Sequence, residues 1–191
     1  MEEFSELLER ATAAIDPGYF RLSIHGGDPV YRERVYCYEL YHQMRKLWPD
    51  SCAFCLNGEV DKAAHPVLMR LGADGFKPDF LVHRPGDMAG NHAVMEVKPA
   101  RSARHGAAKD LNTLSVFRHT VGYQRAIYLI YGDISDHLVE QIAYLAARTN
   151  PPAPIELWLH AAPGEPAIHA QTLEAKSGVD RVILKNGNLQ R

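Results

Sequence analysis

The stretch that most constrains the fold is residues 77–99, KPDFLVHRPGDMAGNHAVMEVKP. Phe80-Leu81-Val82 and the run from Ala93 to Val97 are short, apolar and rich in branched residues, while Arg84-Pro85-Gly86-Asp87 and Gly90-Asn91 are turn chemistry. The pattern predicts a hairpin. Side chains alternate across a strand, so Val94, Glu96 and Lys98 share one face and Met95 and Val97 point the other way, into apolar packing. A carboxylate and an ammonium in an otherwise apolar strand are costly to bury unless they are paired or hold a metal. Asp79 opens the first strand, and in-register pairing brings its carboxylate near Glu96. Two carboxylates with the backbone carbonyl of Val97 make an all-oxygen donor set suited to Mg²⁺ or Mn²⁺.

At 191 residues and 46% hydrophobic composition, the chain is expected to form one domain, residues 1–191, with a single buried core. The longest apolar runs fall far short of a membrane span, and MEEFSELLER is acidic where a targeting signal would be basic, so no membrane partner and a cytoplasmic location are expected. Three cysteines are an odd number for a disulfide framework. Cys52 and Cys55 have half of a zinc-site spacing with no second pair, and core packing is the better reading. The ten histidines show no HExxH-like spacing.

A net charge of −2 argues against a protein that coats nucleic acid, but the charge is unevenly spread. Glu2, Glu3, Glu6, Glu9 and Asp16 face only Arg10 within residues 1–16, a net of −4. Between Lys98 and Arg125 the balance reverses to +5, with Asp110 the one acid. Arg101, Arg104, Lys109 and Arg118 in that block are candidates to hold phosphates, the alternative being a solvated helix face.

Around the hairpin, periodicity predicts an amphipathic cover helix from Glu3 to Ile15, then a brief extended piece from Tyr19 to Ile24. Asp28-Pro29 reads as an N-cap with proline in the first turn, opening a helix to Leu47 with Tyr36, Leu40, Met44 and Leu47 as its apolar stripe. Glu39 sits at the border of that stripe and could equally form a surface pair with His42; His42 and Gln43 lie one turn on. Residues 53–60 read as the first core strand, and Glu59 and Lys62 either support the site from behind or form a turn ion pair. Residues 65–75 read as an irregular connection and 100–106 as a basic loop, followed by a helix. Gln124 to Tyr131 is a buried central strand, Ser135 to Arg148 a helix, and 155–160 and 179–184 two further strands separated by a Gly/Pro turn. Helix, strand, hairpin, helix, strand, helix predicts an α/β three-layer sandwich with a central mixed sheet flanked by helices.

Pro78-Asp79, a spacer that reads as a hairpin, and Glu96-Val97-Lys98, all preceded by an acidic-residue-bearing helix, resemble the PD-(D/E)xK phosphodiesterase superfamily with its restriction-endonuclease-like core. The resemblance covers residues 28–131, leaving the N-terminal helix and the C-terminal strands as additions. It implies a Mg²⁺- or Mn²⁺-dependent nuclease, most simply an endonuclease acting on DNA rather than RNA; a homodimer or a partner protein is compatible with the sequence, which carries no mark of symmetry. It also implies roles: Asp79 and Glu96 hold the metal with the Val97 carbonyl, Glu39 completes the acidic set, and Lys98 places the attacking water and offsets charge at phosphorus. The alternatives are a non-catalytic nucleic-acid-binding or assembly module of the same fold, and a metal hydrolase of a small phosphate ester.

Overall fold

The computed structural model describes residues 3–60 and 65–174. The cover helix α1 (Glu3–Ala13) buries Phe4, Leu7, Leu8 and Ala11 and turns Glu6 and Glu9 to solvent, as its 3.6-residue spacing requires. Asp16 caps the single turn α2 (Pro17–Phe20) by accepting from the Gly18 N–H. The next segment departs from the expected helix start. Strands β1 (Leu22–Ile24) and β2 (Gly27–Val30) form a small antiparallel hairpin that turns at Gly26, where φ is +77°. Pro29 is tolerated in β2 because a two-stranded sheet consists only of edge strands. The long helix α3 (Glu33–Leu47) therefore begins after Asp28-Pro29 and not at it.

Strand β3 (Cys55–Gly58) is shorter than the expected 53–60, and residues read as irregular include α4 (Pro66–Arg70), capped by His65. The hairpin forms as expected: β4 (Phe80–His83), a 3₁₀ turn at Met88–Gly90, then β5 (Asn91–Pro99). No basic loop follows. Helix α5 (Ala100–Val116) starts directly after Pro99 and runs into a π-helical turn, Phe117–Val121, closed by Gly122 at φ +89°. Strand β6 (Arg125–Tyr131), helix α6 (Asp136–Ala146, capped by Ser135), β7 (Ile155–His160) and β8 (Ile168–Leu173) complete the described chain. β8 occupies part of the stretch read as a turn; the strand expected at 179–184 lies outside the described residues.

β3 to β8 form one six-stranded sheet in chain order. It is mixed: β3, β4 and β5 pair antiparallel, β5, β6 and β7 parallel, and β8 antiparallel at the far edge. β7 and β8 thus extend the central sheet. Helices α1, α2 and α3 pack on one face over Val82, Met95, Val97, Leu129 and Tyr131, and α5 and α6 on the other over Leu81, Val94, Tyr128, Ile130 and Leu157. The alternation of Val94 against Met95 and Val97 is the one anticipated for β5, and β6 is buried from Ala126 to Tyr131 because both of its faces are covered. No helix among the described residues is long and apolar enough to cross a membrane.

One glycine sets where α3 begins relative to the sheet. Gly132, at φ +98° just past β6, has the Tyr31 ring so close that a Cβ would stand 2.9 Å from it. Tyr31 also packs edge-on against Tyr131, which fixes the chain two residues before Glu33 enters the first turn of α3.

Candidate active site

The β4–β5 register pairs Phe80 with Met95, so the residue before Phe80 comes level with Glu96. Asp79 occupies that place and ties two strands together. Its backbone carbonyl accepts from the Glu59 N–H at 2.9 Å, and its Oδ2 accepts from the Val97 N–H at 2.7 Å. Glu96, 6% exposed, lies within hydrogen-bonding reach of the Asp79 carboxyl. Burial pushes the Glu96 carboxyl well above the ordinary carboxylate range, and the charges of Asp79 and Asp110 push it further. Asp79 is raised to about 6, chiefly by burial and against the Val97 N–H, with Glu33 adding repulsion. The two therefore form a coupled pair that keeps protons to a higher pH than free carboxyl groups do.

Lys98 stands one residue pair further along β5. Its Nζ reaches Glu33 Oε2 at 2.7 Å and Asp110 Oδ2 at 3.3 Å, with only 14% of the side chain exposed. Burial alone would lower the ammonium's pKa, but the hydrogen bonds and charges of Glu33 and Asp110 outweigh it and the net direction is upward. Lys98 is a fixed cation. That excludes it as a general base in this arrangement, because a base needs its pKa near the working pH. Asp110 is itself raised by burial, opposed by Lys98, and accepts a hydrogen bond from the Tyr128 hydroxyl at 3.3 Å.

The acid that α3 brings to this cluster is Glu33, not Glu39. Six residues separate them, roughly 9 Å along the axis and 120° around it. Glu39 instead accepts from Gln43 Nε2 at 2.5 Å, and Gln43 in turn accepts from Lys46. Gln43 is thus engaged along its own helix, and His42 is exposed. Glu59, at φ +40°, makes a 3.4 Å ion pair with Arg34 on the surface; Lys62 lies outside the described residues.

The basic candidates separate by environment. Arg101, Arg104 and Lys109 are exposed along α5, and Arg101 and Arg104 make no ion pair or side-chain hydrogen bond among the described residues. Those two arginines line, with His105, Asp133 and Ser135, a cleft of about 380 Å³ at the start of α5. Arg118 is spent on the chain itself, donating to the Tyr123 carbonyl at 3.0 Å.

Sequence reasoning missed Glu33, Asp110 and Tyr128. Asp110 carried a signal: it falls with Ala103, Ala107, Leu111 and Leu114 on the buried side of α5, where an acid needs a partner. Glu33 carried a weaker one, since a helix start at Asp28 places it a turn too deep. Among the cysteines, Cys37 is buried beside the acids, which together with burial hold its thiol well above its usual range and unreactive, whereas Cys55 is exposed and not a core residue.

With every acid ionised, Asp79, Glu96, Glu33 and Asp110 would set four negative charges against the single ammonium of Lys98. A hard divalent cation suits that imbalance and that all-oxygen chemistry. Among the described residues, no three His, Cys, Asp or Glu side chains form a ready-made cage, so a bound ion would draw on Asp79, Glu96 and backbone or solvent oxygens. The chain matches no protein-family model, no curated protein and no solved structure.

Proposed function

We propose that this protein is a metal-dependent nuclease of the PD-(D/E)xK type, hydrolysing phosphodiester bonds in nucleic acid, DNA foremost. One observation carries the reading: two carboxyl groups, Asp79 and Glu96, brought level by the β4–β5 register, stand beside a fixed ammonium, Lys98, at the shared end of two paired strands. A structural ion pair would match its charges, whereas this cluster keeps an excess of acid at a cost in folding free energy.

Asp79 and Glu96 would hold Mg²⁺ or Mn²⁺, with the carbonyl of Val97 as a further donor. When bound, the ion lowers the pKa of a water and offsets charge on the phosphoryl oxygens. The Val97 N–H orients Asp79 and leaves its other carboxylate oxygen for the site. Lys98 keeps two of its three N–H donors on Glu33 and Asp110, which aims the third and fixes a positive charge where negative charge develops at phosphorus. Glu33 takes the place expected of Glu39, as the acid that α3 contributes. Arg101 and Arg104 add unpaired charge for flanking phosphates.

Incubating plasmid and oligonucleotides with the protein and Mg²⁺, Mn²⁺ or EDTA tests the proposal, with Glu96→Gln and Lys98→Ala as controls. Metal-dependent cleavage lost in both variants is the expected result. Absence of cleavage with either metal would leave a binding module.

A further inference from the structure

A second cavity, of about 460 Å³, opens between α3 and the β3 edge of the sheet and is lined by Cys37, Tyr38 and Tyr41 from the helix, Asn57 from β3, and Asp79 and Phe80 at the start of β4. Asp79 is common to this cavity and to the acid pair, so whatever fills the one lies directly beside the other. The volume falls within the range of small-ligand pockets, about 300–1,000 Å³.

Its walls are selective by chemistry. The Tyr41 ring is held parallel to Phe80, with centroids 6.4 Å apart and planes 7° from parallel, and is a rigid part of the wall. Tyr38, one turn earlier on α3, is 63% exposed and offers an aromatic face with no partner ring among the described residues. Asn57 is oriented by its Oδ1, 2.9 Å from His83 Nε2, and its amide N–H donors make no hydrogen bond among the described residues. The remaining polar lining is acidic, Asp79 and the Arg34-paired Glu59. Such a wall repels a phosphate and accepts a neutral planar ring that stacks on tyrosine and takes hydrogen bonds from an amide.

We infer that this cavity is a subsite for one unpaired nucleobase next to the phosphate that Asp79 and Glu96 address, so that the substrate is single-stranded or carries an unpaired nucleotide. The inference rests on the nuclease reading for its choice of ligand. A base within a duplex is stacked on both sides and cannot enter without leaving the helix, whereas an unpaired base reaches a tyrosine face at little cost.

Equilibrium binding in EDTA at low salt tests it without any turnover. The probes are a fluorescent single-stranded dodecamer, its duplex, and single strands with one abasic site moved through each position. The single strand is expected to bind at least ten-fold more tightly than the duplex, and one abasic position to lose roughly five- to 150-fold, the usual range for one base stacked on an aromatic ring. Tyr38→Ala should lose a similar factor on the intact strand and nothing further on that abasic strand, while Tyr38→Phe binds as the wild type does. Equal losses by Tyr38→Ala on intact and abasic strands would overturn the subsite, as would tight duplex binding or no measurable binding of any strand. Cleavage assays separate the two readings: cleavage with no base-dependent affinity removes the subsite alone, and base-dependent affinity with no metal-dependent cleavage removes the nuclease alone.

Discussion

Lys98 is the residue whose loss the protein should feel most. Lys98→Met leaves Glu33 and Asp110 facing each other without a cation, and breaking a buried pair in this way costs about 3–5 kcal/mol. Glu33 is 37% exposed and water will screen part of the loss, so a destabilisation of about 2–3 kcal/mol at pH 7.5 is expected in urea unfolding. The acid pair should behave in the opposite sense. Asp79, with its pKa raised to about 6, favours the folded state when protonated, and that contribution fades as pH climbs through 6. Asp79→Asn keeps an acceptor for the Val97 N–H and removes a charge that burial disfavours, so metal-free Asp79→Asn should melt above the wild type at pH 7.5 by about 2 kcal/mol, or roughly 6 °C. The gap should narrow as pH falls below 6 and close only near the ordinary carboxylate value of 3.8. Added Mg²⁺ or Mn²⁺ should raise the melting temperature of the wild type and leave Asp79→Asn and Glu96→Gln unmoved; an equal rise in all three would place any ion elsewhere. For α3, Glu33→Gln is expected to abolish most cleavage and Glu39→Gln to cleave at the wild-type rate, because only the former touches Lys98.

Among the elements, the hairpin was legible because its information is local: branched runs, turn residues and a two-residue alternation that puts Val94 and Met95 on opposite faces. Asp79 meets Glu96 as a direct consequence of that register. The start of α3 was not legible, since Asp28-Pro29 is as good an opening for an edge strand as for a helix, and pairing with β1 decides between them. Displacing that start hid Glu33 and promoted Glu39. Asp110 was hidden differently: read as one charge in a basic block, it lost the meaning of its position on the buried face of α5. The same helix carries the remaining basic candidates, and here a salt titration is informative. Replacing Arg101, Arg104 and Lys109 together with alanine should reduce the salt slope of nucleic-acid binding by about one unit for each phosphate no longer neutralised. Adding Arg118→Ala should change it no further, because that guanidinium is occupied by the Tyr123 carbonyl.

At the scale of the whole molecule, two groups at separate places in the fold respond to acid in opposite ways. His160, at the end of β7 and enclosed by α2 and α3, accepts or donates at Nδ1 with the Tyr36 hydroxyl 2.7 Å away, and its ring lies 4.9 Å from that of Phe20. Burial lowers its pKa to about 4, so its contribution is complete above pH 6.5 and is lost as pH falls toward 4. Asp79 gains stability over much of that interval. Glu96 and Asp110, raised as well, act in the same sense as Asp79, so the expected signature is a difference: metal-free Asp79→Asn should gain steadily on the wild type in thermal melts from pH 4.5 to 6.5, as the contribution of Asp79 fades. The bond from the Val97 amide to Asp79 has a use of its own. An amide proton donated to a carboxylate resonates downfield of one donated to a neutral acid, so this one backbone signal is a spectroscopic meter of the site's ionisation. It lies in the central strand, where exchange with solvent is slow, and can be followed in the intact protein with no substrate, label or mutation.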